Sequence, residues 1–437
     1  MIERVANLLE PCVLSSENVV NGKRSTGSSG SIWGKKFRNI LGKATMFAQR
    51  NWFRPFTFSV LLISCCFLGS ARAEVPVPTI SQALETAGEN KSQLEKALAE
   101  IEPEYKVGME FLIRNMPEQD TKSLSADFLL ENVRLAYQAW KTSKWQAEVP
   151  EEVFLNNVLP YCVVNEARDP WRKEFMERFA PLIKDCKTPG EAAAVLNGEI
   201  FGIVQVKYST KRPKPDQSPA ESMKAGLASC SGLSILLIDA CRALGVPARF
   251  VGTPLWADGS GNHSWVEVWD QGDWYFTGAC EATGKDLNQG WFTGRASQAL
   301  VDDPLRAIYA TSFKRTPIHF PLVWDRRIRW VYAVNVTPRY AGKEPVPAGH
   351  VETRFVYRPA ASKERQVIDF TIVDATSGDK IFEGKTRDER FDANDHTTCY
   401  LITTGAFKVQ WKDEAGEHSL AFEKPSPGQV IELKQGP

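Results

Sequence analysis

Apolar residues recur at helical spacing through residues 80–200, in segments such as SQALETAGENKSQLEKALAEI and ENVRLAYQAWKTSKWQAEV, and predict a run of amphipathic helices. Pro117, Pro150, Pro160 and Pro170 divide the run into short pieces. The basic, Pro-rich stretch STKRPKPDQSP (209–219) suits no regular element and reads as a solvated connector. The pattern then changes. Leu233, Leu236, Leu237, Ala240 and Leu244 share one helical face, and Gly245 followed by Pro247 is a helix stop. A short strand (ARFVGTP), a Gly- and Asp-rich loop (ADGSGN), an alternating strand (HSWVEVW), a Gln271-Gly272 turn and a further strand (WYFTGA) follow. One helix feeding antiparallel strands predicts an α+β core. Beyond about Ile328, VETRFVY, VIDFTIV, AFKVQW and VIELK alternate in polarity between turn residues, and a small antiparallel β-sandwich is expected. The chain thus divides into residues 1–73, a helical region 74–190, a core 191–327 and a sandwich 328–437.

The first of these segments reads as a targeting sequence. Phe56 to Gly69 is an apolar run of signal-peptide length, preceded by Arg50 and Arg54 and followed by Ala71-Arg72-Ala73, a small-x-small cleavage pattern before Glu74. Met46 opens a segment of conventional signal length, so residues 1–45 read as an upstream extension from a misassigned start codon. The expectation is an exported protein, whether periplasmic, cell-surface or secreted, held at a membrane only if the signal segment stays uncleaved.

Charge changes meaning once this segment is set apart. Lys+Arg and Asp+Glu both total 53, but residues 1–73 hold ten basic and three acidic residues. The remainder has 43 basic against 50 acidic, a net of −7, which argues against a nucleic-acid partner. Nine cysteines fall to six after residue 73, with no CxxC pair and no zinc framework, and no His-rich cluster exists. No metal or organic cofactor is implied, and a serine hydrolase is disfavoured by the lack of a GxSxG elbow.

Of the six, Cys230 is placed for chemistry. It stands immediately before the predicted helix, where unpaired backbone N–H groups and the positive end of the helix dipole favour a thiolate and could hold an oxyanion. His263 opens the alternating strand after the Gly-rich loop and shares a face with Trp265, Glu267 and Trp269. A histidine there can take the thiol proton and return one to a leaving group. The bland readings are a buried structural cysteine and a core histidine; for Glu267, an ion pair; for Cys280, a buried thiol rather than a redox partner of Cys230; for the tryptophans, core packing rather than glycan stacking.

The blocks ASCSGLSILLIDACRALGVPAR and HSWVEVWDQGDWYFTGACE, with Cys230 and His263 33 residues apart, resemble the transglutaminase-like superfamily over roughly residues 190–300. The resemblance implies a papain-like α+β core with a Cys-His-Asp triad acting on carboxamides of glutamine, asparagine-linked glycans or peptides. It also exposes a departure. The family's Asp falls four residues after the strand tryptophan, and four after Trp274 is Gly278. Glu281 is the expected substitute and Asn288 a weaker one. The expected function is thiol-dependent acyl transfer at amide bonds, with hydrolysis favoured over cross-linking, on a protein, peptide or glycoprotein. The rival is a catalytically degenerate binding protein of the cell envelope that recognises glycan or protein through its sandwich.

Overall fold

The computed structural model describes residues 75–343, 346–359 and 362–434. The segment read as a targeting sequence, Met46 included, lies outside the described residues. Among the described residues, no helix is long and apolar enough to cross a membrane.

The fold is α+β. Helices at Ile80–Thr86, Lys91–Glu100, Lys106–Asn115, Glu118–Thr121, Ala126–Thr142, Glu151–Asn157, Trp171–Phe179 and Pro189–Val204 form the N-terminal part. Pro117, Pro150 and Pro170 each occupy the N-cap of a helix, so these prolines start helices as much as they interrupt them. The longest, Ala126–Thr142, buries Leu129, Leu130, Val133, Ala136 and Tyr137, the i, i+3, i+4 stripe expected of a packed helix.

The centre of the core is the helix Cys230–Ala243. Ser229 caps it, accepting the Gly232 N–H at 3.1 Å. Thirteen of its fourteen residues are buried, leaving only Cys230 partly open. Packing on all sides explains why this helix, unlike a surface one, is apolar well beyond a single stripe. It ends at Gly245, whose φ of +73° and 2.7 Å approach of a notional Cβ to the Ala139 carbonyl admit only glycine. Arg172, itself buried, donates to the Arg242 carbonyl near this helix end and to the carbonyls of Val158, Leu159 and Pro160. Arg242 in turn donates to the carbonyls of Asn157, Cys162 and Ala248. These charge-assisted bonds bind the helical region to the core.

Against the helix lies a six-stranded antiparallel sheet in the order Asp273–Thr277, His263–Asp270, Ala248–Thr253, Tyr309–Ser312, Tyr332–Asn335, Ile318–His319. Register pairs Thr253 with His263, Val251 with Trp265 and Arg249 with Glu267. The period of two sends Val266 and Val268 into the cluster that contains the helix, and Trp265 into a second cluster with Trp256, Phe292 and Tyr340 on the opposite side. The strand Tyr332–Asn335, beyond Ile328, joins this core sheet.

From His350 onward the chain builds two more sheets. One is antiparallel, in the order Lys380–Lys385, Asp369–Asp374, Ala406–Asp413, Gly416–Glu423; the other orders Thr397–Ile402, His350–Tyr357, Val430–Leu433, its last pair parallel. Phe355, Phe370, Leu401, Val409, Trp411 and Leu433, drawn from both sheets, share one buried cluster.

Candidate active site

Cys230 is the first residue of its helix rather than the residue before it. The N–H groups of that first turn have no carbonyl four residues back to bond, and they point toward the end at which Cys230 sits. Ser229 fixes the turn, its hydroxyl donating to the Pro215 carbonyl at 2.6 Å while it accepts the Gly232 N–H. Ser231 Oγ meets Ser264 Oγ at 3.1 Å, joining the helix start to the start of the His263 strand. Burial of the helix against Val266 and Val268 of that strand brings sequence positions 33 apart into one place.

His263 is 1% exposed and walled by Trp256, Trp265, Trp291 and Phe292, with the Trp291 and Phe292 ring centroids 4.7 and 5.0 Å away. Two carboxylates flank the imidazole. Glu281 Oε2 lies 3.9 Å from Nε2, and Asp392 Oδ2 lies 3.6 Å from Nδ1. Cys230 Sγ, an imidazole nitrogen and an Asp392 carboxylate oxygen all lie within 4.8 Å of one another. Both contacts to the ring are at ion-pair rather than hydrogen-bond length. Burial pushes the His263 pKa down, but Asp392 and Cys230 together outweigh it and hold it well above the usual histidine range. Burial likewise opposes ionisation of Asp392, yet His263 and the Asn394 N–H at 2.8 Å hold its carboxyl below the usual range.

Glu281 reaches the imidazole by folding back over Gly278. A Cβ at position 278 would meet Glu281 Oε2 at 2.1 Å, so the glutamate carboxylate occupies the space a side chain at 278 would take. Asn197, buried on the helix Pro189–Val204, holds the turn: it donates to Thr277 Oγ1 and the Gly278 carbonyl and accepts the Cys280 N–H. Cys280 sits there with φ +65°, a left-handed conformation that the bonds to Asn197 support. Oε2 is buried although the Glu281 side chain keeps 24% exposure, and burial together with the Asp392 charge raises its pKa to about 7 despite His263. Asn288 is committed elsewhere, its side chain accepting the Phe276 N–H at 2.9 Å and its own N–H donating to the Phe276 carbonyl.

Asp392 is the residue that sequence reasoning missed. It lies 129 positions after His263, in the loop between the strands Lys380–Lys385 and Thr397–Ile402, and so comes from the C-terminal sheets. Buried Arg365 donates to the carbonyls of Phe391, Asp392 and Asp395 at 2.8, 3.2 and 3.0 Å. Ala393 N–H donates to Tyr208 Oη at 2.8 Å, and Asn394 Nδ2 donates to the Asn262 carbonyl at 3.0 Å. The loop is therefore fastened both to its own sheets and to the residue preceding His263. In sequence, FDANDHTT is a polar loop like others in the chain, and nothing local distinguishes Asp392 from Asp395.

The remaining candidates are structural. Glu267 is 1% exposed, bound by Arg249 at 2.8 Å and by the Tyr340 hydroxyl at 2.7 Å, an ion pair inside the sheet. Trp265 donates to Tyr340 Oη at 2.9 Å, and the Arg249 guanidinium lies 3.8 Å over the Trp274 ring. All six described cysteines are free thiols, and burial pushes Cys280 up to about 11. An inert, protonated thiol is what such a shift describes.

Residues 178–279 match the family model of the transglutaminase-like superfamily. This segment is a transglutaminase-like core. It holds Cys230 and His263, while Glu281 and Asp392 lie outside the matched stretch. Solved structures similar to the chain include a candidate cysteine protease from Cytophaga hutchinsonii, at 17% identity and TM-score 0.23, covering 25% of this chain and 38% of that one. Red sea bream transglutaminase matches at 9% identity and TM-score 0.28, over 65% of this chain and 66% of its own. A candidate protease from Parabacteroides distasonis matches at 12% identity and TM-score 0.24, over 56% and 37%. The chain thus spans less than two thirds of each of these relatives. No curated protein sequence matches it.

Proposed function

We propose that the protein is a thiol-dependent acyl-transfer enzyme acting at amide bonds, with hydrolysis as its main reaction. The observation that supports this most is the convergence of Cys230, at a capped helix start, on a buried imidazole flanked by two carboxylates. In the proposed reaction the Cys230 thiolate attacks the amide carbonyl carbon, and N–H groups of the first helical turn receive the oxyanion. The His263 imidazolium donates its proton to the departing amine as the C–N bond breaks, leaving a thioester. Water then attacks the thioester with His263 accepting its proton; the carboxylic product leaves and the thiol is restored. Asp392 and Glu281 both favour the imidazolium electrostatically, and Glu281, on Nε2, would orient the ring.

The substrate class that suits this chemistry is a protein, peptide or glycoprotein amide, met outside the cytoplasm if the targeting segment acts as read. The test is labelling by a thiol-reactive, amide-mimicking probe. The intact protein should label at least about 10²-fold faster than Cys230→Ala, and His263→Ala should lose most of that gain. Labelling at the rate of an ordinary cysteine, or unchanged in Cys230→Ala, would overturn the proposal.

A further inference from the structure

Beyond any turnover, the same three side chains have the composition and spacing of a metal site. We propose that Cys230, His263 and Asp392 bind one divalent transition ion of the zinc class, which reversibly caps the thiol.

The donor set is thiolate, imidazole and carboxylate, a combination that suits Zn²⁺ or Co²⁺ rather than Ca²⁺ or Mg²⁺. Metal–ligand lengths of about 2.0–2.3 Å in a tetrahedron require donor atoms roughly 3.3–3.7 Å apart. His263 Nδ1 and Asp392 Oδ2 already stand at 3.6 Å, and Cys230, His263 and Asp392 each offer a donor atom within 4.8 Å of the other two. Against that spacing, the 4.8 Å bound leaves at most about 1 Å for the sulfur to close.

Three further features point the same way. Both ring nitrogens of His263 are buried without a hydrogen-bond partner, so metal binding at Nδ1 displaces no existing bond. Glu281 stands 3.9 Å from Nε2, where it can accept the other ring N–H, the carboxylate–imidazole arrangement that orients metal-bound histidines. Asp392 is fixed by the Asn394 N–H and by a loop that Arg365 anchors, which lowers the cost of assembling the ligands. Of the three ligands Cys230 alone is partly exposed, and it marks the path by which an ion would enter. Binding exchanges protons for metal: the thiol releases one, and an imidazolium releases the one on Nδ1, while the metal takes their electron pairs.

The site draws its third ligand from the C-terminal sheets, so the metal would tie these sheets to the transglutaminase-like core. It would also exclude alkylating reagents from the thiol. The test is titration of the reduced, chelator-treated full chain with Co²⁺, followed by displacement with Zn²⁺. One equivalent should produce thiolate-to-cobalt charge-transfer absorption and intense tetrahedral ligand-field bands, and should slow alkylation of Cys230 at least 10-fold. Cys230→Ser should abolish the charge-transfer band. Asp392→Ala should weaken binding about 100-fold and Glu281→Gln about 10-fold. Asp392→Asn serves as the second variant if Asp392→Ala does not fold. No charge-transfer band in the intact chain, or a band with unchanged affinity in the Asp392 variants, overturns the proposal. Fast Cys230 labelling without metal binding would sink this inference alone and leave the enzymatic reading standing; metal binding without fast labelling would do the reverse.

Discussion

At the residue scale the imidazole of His263 is flanked by two carboxylates in a buried space, and the shifts of the three groups have opposite consequences for stability. His263 is easier to protonate in the fold than in the unfolded chain, so its contribution is full below its ordinary pKa of 6.5 and is lost as pH rises through the raised value. Asp392 is easier to ionise folded, so its contribution holds above its ordinary 3.8 and is lost as pH falls through the lowered value. Glu281 is harder to ionise folded: its contribution is full below 4.5 and lost as pH passes about 7. The three contributions are full together only at about pH 4–4.5, and the site's support for the fold falls from there as Glu281 ionises toward pH 7. Thermal melts across about pH 6–8 should show the native protein losing stability with rising pH. Glu281→Gln, which cannot ionise, should lose less over the same interval; identical slopes for the two proteins would contradict the assignment.

At the element scale the decisive object is the turn Thr277–Glu281. The strand Asp273–Thr277 ends where Asn197 takes hold of the next backbone groups, and this makes Gly278 and Glu281 a pair. Any side chain at 278 must evict the Glu281 carboxylate, because its Cβ would lie 2.1 Å from Oε2. Gly278→Asp alone should therefore displace Glu281 and cut the labelling rate of Cys230. Glu281→Ala should cut it by up to about 10⁴-fold, the loss seen when an orienting carboxylate is removed from a triad. The double variant Gly278→Asp/Glu281→Ala should recover part of the rate, since the new carboxylate enters the space the old one left. Losses that simply add would show that the two positions do not share one role.

At the scale of the whole molecule, the C-terminal sheets do more than follow the core, because they place Asp392 beside the imidazole. Their hold depends on Arg365, whose guanidinium serves three carbonyls of the Asp392 loop. Arg365→Met keeps the apolar stem and leaves those carbonyls without their donor, at about 1–3 kcal/mol for each that stays buried. Amide exchange in residues 388–396 should accelerate, with exchange in the Cys230–Ala243 helix unchanged. Equal acceleration in both would mean that the variant loosens the fold as a whole.

Local pattern determined much of this protein. Apolar spacing marked the N-terminal helices, the buried helix after Ser229 and the strands flanking His263, because each follows from the burial of neighbours close in sequence. The alternation after Ile328 marked four C-terminal strands, while Lys380–Lys385, Thr397–Ile402 and Gly416–Glu423 went unread because their inward positions are mostly only half-buried, Leu401 alone among them being fully buried. Cys230 and His263 were legible because a helix start and a strand start each leave a signature within a few residues. Glu281 was legible only as a candidate: its distance to Nε2 depends on Asn197, 84 residues earlier, and on an empty Cβ position at Gly278. Asp392 was not legible at all. A carboxylate becomes part of a site by where its loop is fastened, and that fastening runs through Arg365, Tyr208 and Asn262, groups that only the tertiary structure brings together.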